Sequence, residues 1–402
     1  MAARETNTRA VTYRVRPGTS GRASRLQAIV DGCRFVWNEV NREVRSANAA
    51  RMLGAPVPTP STTFFTLSSR FTSLRSEHAW LQALPFESVR YSLKRQSESW
   101  SRYLSGKGNR PRFKSRHRDG SFTIPSKVRI NGDRLTIPGS RLSPGFQVRL
   151  CRRNEPKVTG EPVQAVVKRS CGRWYATVFY RVEVESPSDN GVSVGIDLNH
   201  ADRAVACSTG EIISFPNTDR LEARKRRYQR RISLNRRGSM KRGSKRRRLV
   251  RRRLSKTSRK IANVRANWQH HVSRTLADTA GQVCYEDLKV KNMTRKGRGK
   301  AGLNRENLKT GWAGLREKIE YKSALPTPVS PYYTSQTCSQ CGAIGIRDSE
   351  SFRCRCGHRS HADVNAALNI LASGSGATGR REALALATSA TRQWAVRLQI
   401  PH

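Results

Sequence analysis

Acidic residues are scarce in this sequence of 402 residues. Asp and Glu number 29 against 77 Lys and Arg, so the formal net charge is +48 at pH 7. Such an excess of one sign repels itself in a compact fold unless an anionic partner neutralises it. Nucleic acid is the expected partner, because a phosphate backbone rewards a long positive surface through counterion release. A membrane surface is the alternative, but no amphipathic anchor or lipidation motif supports it.

Long hydrophobic runs are also missing. No apolar segment reaches the ~20 residues that span a bilayer, and the N-terminus, MAARETNTRAVTYRVR, has no signal-peptide core. Cysteines are few and unevenly placed: five of the nine are scattered, and four lie between Cys338 and Cys356. This distribution suits a reducing cytoplasm with one metal site rather than a disulfide framework. We therefore expect a cytoplasmic protein with no membrane partner.

The first half of the chain has the pattern of a mixed α and β region. A strand is predicted over 10–15, helices over 23–49, 64–75 and 86–104, and short alternating strands from Phe122 to Glu185. Together they predict a small β-barrel or sandwich into which helices are inserted. The turn-rich stretch SPSDNG (186–191) predicts a domain boundary. We assign 1–22 to the first strand of the β domain, 23–115 to the helical insertion and 116–188 to the remaining strands.

The second half opens with VSVGIDL, a predicted buried strand, and a hairpin around Thr209-Gly210. Between Arg220 and Lys260 lie 21 Lys and Arg and a single acid, and we predict two helices there, broken near 238–243. QVCYEDL predicts a second buried strand, NMTRKGRGKAGLN a flexible linker, and the residues around Trp312 a further helix. The segment YKSALPTPVSPYY is proline-rich for a strand. A last apolar helix follows the cysteines.

Three acids in this basic chain stand in positions that need an explanation. Asp197 lies in the apolar GVSVGIDL, Glu286 ends the second buried strand, and Asp363 opens the last helix. Each has a simpler interpretation by itself: a turn acid for Asp197, a surface acid paired with an arginine for Glu286, and a helix N-cap for Asp363. Taken together, acids from two strands and one helix start can converge at one edge of a sheet. That is the arrangement by which carboxylates hold two Mg²⁺ roughly 3.5–4 Å apart.

The order of these motifs resembles a known family. GIDL, YEDLKVKNM and DVNAALNI, with YTSQTCSQCG before the last, resemble the three split RuvC motifs of the TnpB family, and CRFVWNEV, RPRFKSRHR and the SFTIP…VRI…LTIPG run resemble its N-terminal half. TnpB proteins are transposon-encoded RNA-guided nucleases of prokaryotic cells, thought to be ancestral to the type V CRISPR effectors. The resemblance runs to about Ala372 and implies that Asp197, Glu286 and Asp363 are the catalytic acids and ligands of two Mg²⁺.

The resemblance also implies an architecture. We expect an α+β multidomain protein with an N-terminal wedge-like β-barrel, an inserted helical recognition region, and a C-terminal RNase H-like RuvC α/β domain with a zinc-finger insertion. The RuvC domain would cover 189–325 with the basic helices, the zinc knuckle 326–360, the last motif and helix 361–375, and a tail 376–402.

The cysteine cluster predicts one structural Zn²⁺. Cys338 and Cys341 have standard spacing, whereas Cys354 and Cys356 are separated by a single residue. Four thiolates are the preferred ligand set, with His358 or His361 as a replacement for one of them. A short insertion tied by a metal can place the third acid rigidly against the other two.

The basic and N-terminal segments supply candidate nucleic-acid contacts. The usual interpretation of a charge run is a solvated helix face, but a +20 segment beside a nuclease centre favours contact with RNA or a guide–target heteroduplex. The candidates there are Arg226, Arg230, Arg247 and Arg251. In the N-terminal half, the candidates for reading a short duplex motif are Arg90, Tyr91, Lys94 and Thr123. Arg and Lys in this half are equally suited to phosphate contacts that position without specifying.

The function predicted is RNA-guided cleavage of double-stranded DNA next to a short duplex motif, with a structured guide RNA as partner. The guide comes either from a transposon end or from a CRISPR array, and the sequence does not distinguish them. Alternatives are a nuclease-inactive RNA-guided repressor, a transposase or its accessory protein, and a basic RNA-binding protein. The sequence does not fix the oligomeric state, although we favour a monomer.

Overall fold

The computed structural model describes residues 4–116, 119–151, 158, 160–185, 187, 189–199, 203–233, 240, 243–294 and 301–376. The chain forms two compact units, Met1–Glu185 and Ser186–His402. Among the described helices, none combines the length and the apolar character that crossing a membrane requires. The predicted tail lies outside the described residues, apart from its first residue.

The first unit combines an antiparallel sheet with helices that follow its first strand. Its described elements are β1 (Arg4–Arg16), α1 (Ser20–Met52), α2 (Phe64–Glu77), α3 (Ala79–Gln82), α4 (Phe86–Leu104), β2 (Ser121–Ile124), β3 (Ile130–Asn131), β4 (Arg134–Ile137), β5 (Phe146–Cys151), β6 (Glu161–Ser170) and β7 (Arg173–Glu185). The seven strands are ordered β2-β6-β7-β1-β5-β4-β3. The helices predicted from periodicity are confirmed, because residues such as Leu93 and Trp100 recur on one face of α4 and are fully buried. β2 and β3 are the two edge strands of this sheet, and among the described residues they do not pair with each other. Closure of the sheet into a barrel therefore stays a prediction.

The second unit is built around a mixed sheet. Its described elements are β8 (Ser193–Leu198), β9 (Val205–Cys207), β10 (Ile212–Ile213), α5 (Asp219–Ile232), α6 (Lys245–Thr279), β11 (Gln282–Glu286), α7 (Val290–Met293), α8 (Ala301–Thr310), α9 (Trp312–Glu320), β12 (Leu325–Val329), β13 (Ile346–Asp348), β14 (Ser351–Arg353), β15 (Arg359–His361) and α10 (Ala362–Gly374). Five strands form a sheet in the order β10-β9-β8-β11-β12, and β13, β14 and β15 form a small separate sheet.

The two faces of the five-stranded sheet are covered differently. Ile196 and Tyr285 belong to a buried cluster with Trp268 of α6 and Leu315 of α9. Alternate residues point to the opposite face of a strand, and there Cys284 belongs to a cluster with Leu371 of α10. The sheet is therefore sandwiched between α6 and α9 on one face and α10 on the other.

One strand has an unusual composition, and one expectation needs correction. The proline-rich segment does form a strand, β12, which pairs in parallel with β11 at the edge of the sheet. An edge strand tolerates proline because one side of its backbone makes no ladder hydrogen bonds. The predicted flexible linker is partly helical, since α7 covers its start and α8 begins at Ala301, whereas 295–300 lie outside the described residues. The break between the two basic helices is confirmed: α5 ends at Ile232 and α6 begins at Lys245.

Candidate active site and cysteine cluster

Asp197 and Glu286 stand at matching ends of two neighbouring strands. β8 and β11 are parallel, and the last pair in their register is Ile196 with Tyr285. Asp197 and Glu286 are the next residues on each strand, and both strands run in the same direction, so the two carboxylates lie at the same edge of the sheet. Alternation along each strand places them on the face that α10 covers. They are 7% and 8% exposed, respectively.

Asp363 reaches the same edge from α10. The helix packs closely on β8, because a Cβ at Gly195 would overlap the backbone of Ala367 and Leu371. Asp363 lies in the first turn and is 1% exposed. It does not cap the helix, so the N-cap interpretation is wrong. The N-cap is His361, whose Nδ1 accepts the backbone N–H of Asp363 at 3.2 Å.

Burial raises the pKa of two of these acids, Asp197 and Glu286, and repulsion adds to the shift at Asp197. Burial, followed by the charges of Glu286 and Asp363, raises the pKa of Asp197 to about 7, although the hydrogen bond from Asn199 opposes the shift. Burial also raises the pKa of Glu286, and the hydrogen bond from Thr334 partly counters it. The repulsion shows that the acids lie within electrostatic range of one another. The simpler interpretations of Asp197 and Glu286 as turn and surface acids are therefore wrong.

Each carboxylate has a different hydrogen-bond partner. Asn199 Nδ2 donates to Asp197 Oδ2 at 2.8 Å, and Thr334 Oγ1 donates to Glu286 Oε1 at 2.5 Å. Asp363 faces two guanidinium groups instead. Arg347 Nη2 lies 2.6 Å from its Oδ1, and Arg203 Nη1 lies 3.7 Å from its Oδ2. A cation therefore already neutralises the most buried of the three acids.

Two asparagines on α10 hold the loop that leads to the cysteines. Asn365 accepts the backbone N–H of Ser339 at 2.9 Å and donates to the carbonyl of Thr337 at 2.7 Å. Asn369 donates to the carbonyls of Thr334 and Thr337 at 2.9 and 2.6 Å. Since Thr334 also donates to Glu286, one helix positions both the third acid and the partner of the second.

The four clustered cysteines form a compact sulfur site. The Sγ atoms of Cys338 and Cys356 are 3.7 Å apart, those of Cys341 and Cys354 are 3.5 Å apart, and all four lie within 4.8 Å of one another. A tetrahedral zinc with Zn–S bonds of ~2.3 Å requires sulfur separations of about 3.8 Å. The backbone N–H of Ala343 and the neighbouring cysteines lower the pKa of Cys341 to about 7, whereas the neighbouring cysteines raise the pKa of Cys356 to about 12, so one thiolate forms more easily than the other without a metal. The donors therefore fit a metal ion.

The alternative ligands His358 and His361 are used elsewhere. His358 Nε2 lies 3.4 Å from Ser339 Oγ, and His361 caps α10. Within the part of the chain that the structure describes, these cysteines are the one set of three or more His, Cys, Asp or Glu side chains placed closely enough to share a metal ion. Among the described residues the three carboxylates do not form such a group in this structure, in which Asp363 pairs with Arg347.

Comparison with known proteins decides the family. A protein of Escherichia coli K12, "Putative RNA-guided DNA endonuclease InsQ", is 30% identical over 388 residues, which cover 91% of this chain and 92% of its own. A mimivirus relative named TnpB-like protein L79 is 30% identical over 29% of this chain and 24% of its own. The profile of the IS605 OrfB family, described as "Probable transposase", matches residues 177–297.

The chain belongs to the TnpB family. A second profile, "Cas12f1-like, TNB domain", matches residues 312–370, the segment of this TnpB chain that contains the cysteines. The endodeoxyribonuclease Cas12f1 of Sulfoacidibacillus thermotolerans is 29% identical over about half of each chain (49% and 50%). Among solved structures, a Cas12f1–sgRNA–target DNA complex superposes with a TM-score of 0.56 at 14% identity, covering 91% of this chain and 98% of that one. This likeness establishes the α+β fold.

Most of the candidate nucleic-acid-binding residues in the first unit of this TnpB chain are buried or bonded to other residues of the protein. Arg90 pairs with Glu87 at 3.2 Å, and Tyr91 accepts a hydrogen bond from Gln164 at 3.0 Å. Lys94 is exposed, with its ammonium 5.6 Å from the ring centre of Tyr91. Thr123 is 4% exposed on β2, which argues against a direct contact in this conformation.

The candidate contacts in the second unit are more accessible. Arg226 and Arg230 on α5 and Arg251 on α6 are exposed, whereas Arg247 is half-buried and donates to the carbonyl of Met240 at 3.0 Å. None of the residues of α5 is buried, and this helix packs against α6. Three of the four arginines are therefore free to meet phosphate, and their role stays a prediction.

Sequence reasoning missed several residues at the site. Asn365 and Asn369 carried a signal, because two polar residues spaced i, i+4 in an apolar helix are expected to have buried hydrogen-bond partners. No sequence pattern points to Thr334, Arg203 or Arg347, since their contacts with the acids depend on how distant parts of the chain come together.

Proposed function

We propose that this TnpB chain is an RNA-guided DNA endonuclease that cleaves target double-stranded DNA at a single RuvC-type site. The observation that supports it best is the convergence of Asp197, Glu286 and Asp363 at one sheet edge. Buried acids are costly to a fold and cluster at functional sites, and burial raises the pKa of two of these three, Asp197 and Glu286. The names of the E. coli and Cas12f1 relatives agree with this proposal. In this proposal the second unit is an RNase H-like nuclease domain with a zinc-bearing insertion.

The side chains of the acidic site are of the kind that divalent cations bind, although in this structure Asp363 pairs with Arg347. The ligands of this site are carboxylate oxygens, the donor atoms that hard cations prefer. The side chains are buried and repel one another when they are ionised, so a bound cation would relieve that repulsion. Asp197, Glu286 and Asp363 would hold two Mg²⁺. When bound, magnesium supplies charge neutralisation and an activated water for phosphodiester hydrolysis.

The chain's own residues prepare this site. Thr334 fixes the orientation of Glu286 through its hydroxyl, and Asn199 holds one oxygen of Asp197. Arg347 neutralises Asp363 before any ligand arrives, so a buried anion is not left unpaired. The four cysteines would hold one structural Zn²⁺, which would tie the loop that follows Thr334 to the two ends of the 341–354 segment, which contains Arg347.

Recognition would be divided between protein and guide. Base pairing with a structured guide RNA would select the target sequence, and the protein would read a short adjacent duplex motif and the shape of the heteroduplex. The exposed arginines of α5 and α6 suit the backbone contacts that this requires. Sequencing the RNA that copurifies with the protein would show whether a scaffold carries a variable guide end and whether it derives from a transposon or a CRISPR array.

The direct test uses the protein purified with its RNA. Asp197→Asn, Glu286→Gln and Asp363→Asn should each abolish Mg²⁺-dependent cleavage of a matched DNA target while RNA binding is unchanged. The control is Asp348→Asn, which alters an exposed acid of β13 in the same unit. Cleavage at the wild-type rate by any of the three variants would contradict its assignment. A wild-type protein that binds the target without cutting it would support the repressor alternative.

A further inference from the structure

Two tyrosines project into solvent beside Glu286. Tyr332 is 81% exposed and Tyr333 is 65% exposed. Within the described part of the chain, neither ring stacks on another aromatic ring or on a cationic side chain. Two adjacent aromatic side chains left in water are unusual, because tyrosine normally buries most of its ring area.

The loop that carries them, residues 330–333, is attached to Glu286 at both ends. Before the loop, Val329 pairs with Glu286 in the parallel register, and its carbonyl accepts the N–H of Asp287 at 2.9 Å. After the loop, Thr334 Oγ1 donates to Glu286 Oε1 at 2.5 Å. The loop that carries the two exposed rings therefore begins and ends at residues that contact Glu286 or its neighbour Asp287.

The backbone of this loop is held in a conformation that the residue itself disfavours. Tyr333 has φ +60°, in the left-handed region that non-glycine residues rarely adopt. Its carbonyl accepts hydrogen bonds from the N–H groups of Gln336 and Thr337 at 3.0 Å and from Thr337 Oγ1 at 2.8 Å. Pro331 restricts the chain on the other side. Strain that several bonds maintain points to a function for the side chain so presented.

We infer that Tyr332 and Tyr333 form a base-stacking platform that receives unpaired bases of a single DNA strand as it approaches the acids. Aromatic rings stack on any base, because every base has a π face, so such a platform needs no sequence preference. The surroundings suit a polyanion, since Arg347 and Arg203 lie at the neighbouring acid and Arg353, Arg355 and Arg359 are exposed on the cysteine-bearing segment. A paired duplex keeps its bases stacked on each other, so the platform selects single-stranded DNA. This inference deepens the proposed nuclease function and rests on it.

The first experiment locates the contact without needing cleavage. The protein with its copurified RNA is irradiated with a single-stranded DNA oligonucleotide that carries 5-iododeoxyuridine, in magnesium-free buffer at high salt. High salt suppresses backbone binding by the basic helices. We expect cross-links that mass spectrometry maps to Tyr332 or Tyr333, and a much lower yield when the same strand is paired in a duplex. Cross-links that map only to other residues would overturn the inference.

The second experiment tests whether the aromatic rings of the two tyrosines or their hydroxyl groups make the contact with DNA. In the double variant Tyr332→Leu/Tyr333→Leu, the cross-link should disappear and KM for DNA cleavage should rise at least roughly tenfold, the loss expected for one stacked base, with kcat little changed. Tyr332→Phe/Tyr333→Phe should behave as wild type, because stacking needs the ring alone. The matched control is Tyr321→Leu, a 57% exposed tyrosine that precedes the opposite end of β12.

The outcomes separate the two proposals. If the double leucine variant cleaves with the wild-type KM, the platform is wrong and the nuclease proposal stands. If the wild-type protein cross-links at these tyrosines but never cleaves, the nuclease proposal is wrong and the platform stands. Retention of zinc by each variant shows that the cysteine-bearing segment is folded.

Discussion

Replacing Asp197 by Asn should stabilise the protein in the absence of magnesium, and the gain should grow with pH. In the folded chain the pKa of Asp197 is raised from 3.8 to about 7, mainly by burial and by Glu286. Its proton affinity is thus about a thousandfold higher than in the unfolded chain, and each factor of ten corresponds to about 1.4 kcal/mol. Ionised Asp197 therefore destabilises the fold by about 4 kcal/mol.

The sign follows from proton linkage. Below pH ~4 the carboxyl is protonated in both states and contributes no difference. Between pH ~4 and ~7 the folded state binds a proton that the unfolded state has lost, so stability falls as the pH rises. Above pH ~7 the full cost is present. The neutral Asn variant avoids this cost at every pH.

The assay is urea unfolding followed by tryptophan fluorescence, at pH 5 and at pH 8, in magnesium-free buffer that retains zinc. We expect the free energy of unfolding of Asp197→Asn to exceed that of wild type by up to about 4 kcal/mol at pH 8 but by only about 1–2 kcal/mol at pH 5. The exposed control Asp348→Asn should show no such pH dependence. Adding Mg²⁺ should reduce the difference in the free energy of unfolding between the variant and wild type at pH 8, because the metal stabilises only a site that can bind it. Equal differences at the two pH values would refute the reasoning.

Other features lead to further tests. Cys338→Ser should lower the zinc content and the yield of folded protein, and unchanged zinc stoichiometry would contradict the sulfur site. Gly195→Ala should lower the free energy of unfolding by roughly 1–3 kcal/mol, because the methyl group overlaps the backbone of α10. Its control, Gly302→Ala on α8, meets no atom within 4 Å and should be neutral or stabilising by up to about 1 kcal/mol. The pair Arg226→Gln/Arg251→Gln should weaken RNA binding and reduce the slope of log affinity against log salt by about 1.4–1.8, measured by filter binding; an unchanged slope would place these exposed arginines outside the interface.

The sequence predicted best the features that depend on local periodicity. α4 has the predicted limits because its apolar residues repeat at helical spacing, and the hairpin around Thr209-Gly210 forms because Gly210 supplies the positive φ of its turn. The convergence of acids was also predictable, since β8 and β11 read as buried strands and parallel neighbours bring their carboxyl ends together.

Features that depend on tertiary placement were not predictable. β12 contains two prolines and would be rejected as a strand if its position at the sheet edge were unknown. The burial of Thr123 follows from packing in the first unit, and no local pattern indicates it. The contact between Arg347 and Asp363 depends on where the small sheet places β13, so one arginine among many could not be singled out from sequence.

The position of α10 in the chain has a consequence for biosynthesis. β8 and β11 are translated well before this helix, and the basic helices α5 and α6 emerge between them. A growing or prematurely terminated polypeptide that lacks α10 can therefore carry the polycationic helices but lacks Asp363 and the asparagines that anchor the cysteine loop. Under the proposed function, a chain that ends before α10 would bind nucleic acid through α5 and α6 but would lack the third carboxylate that cleavage requires.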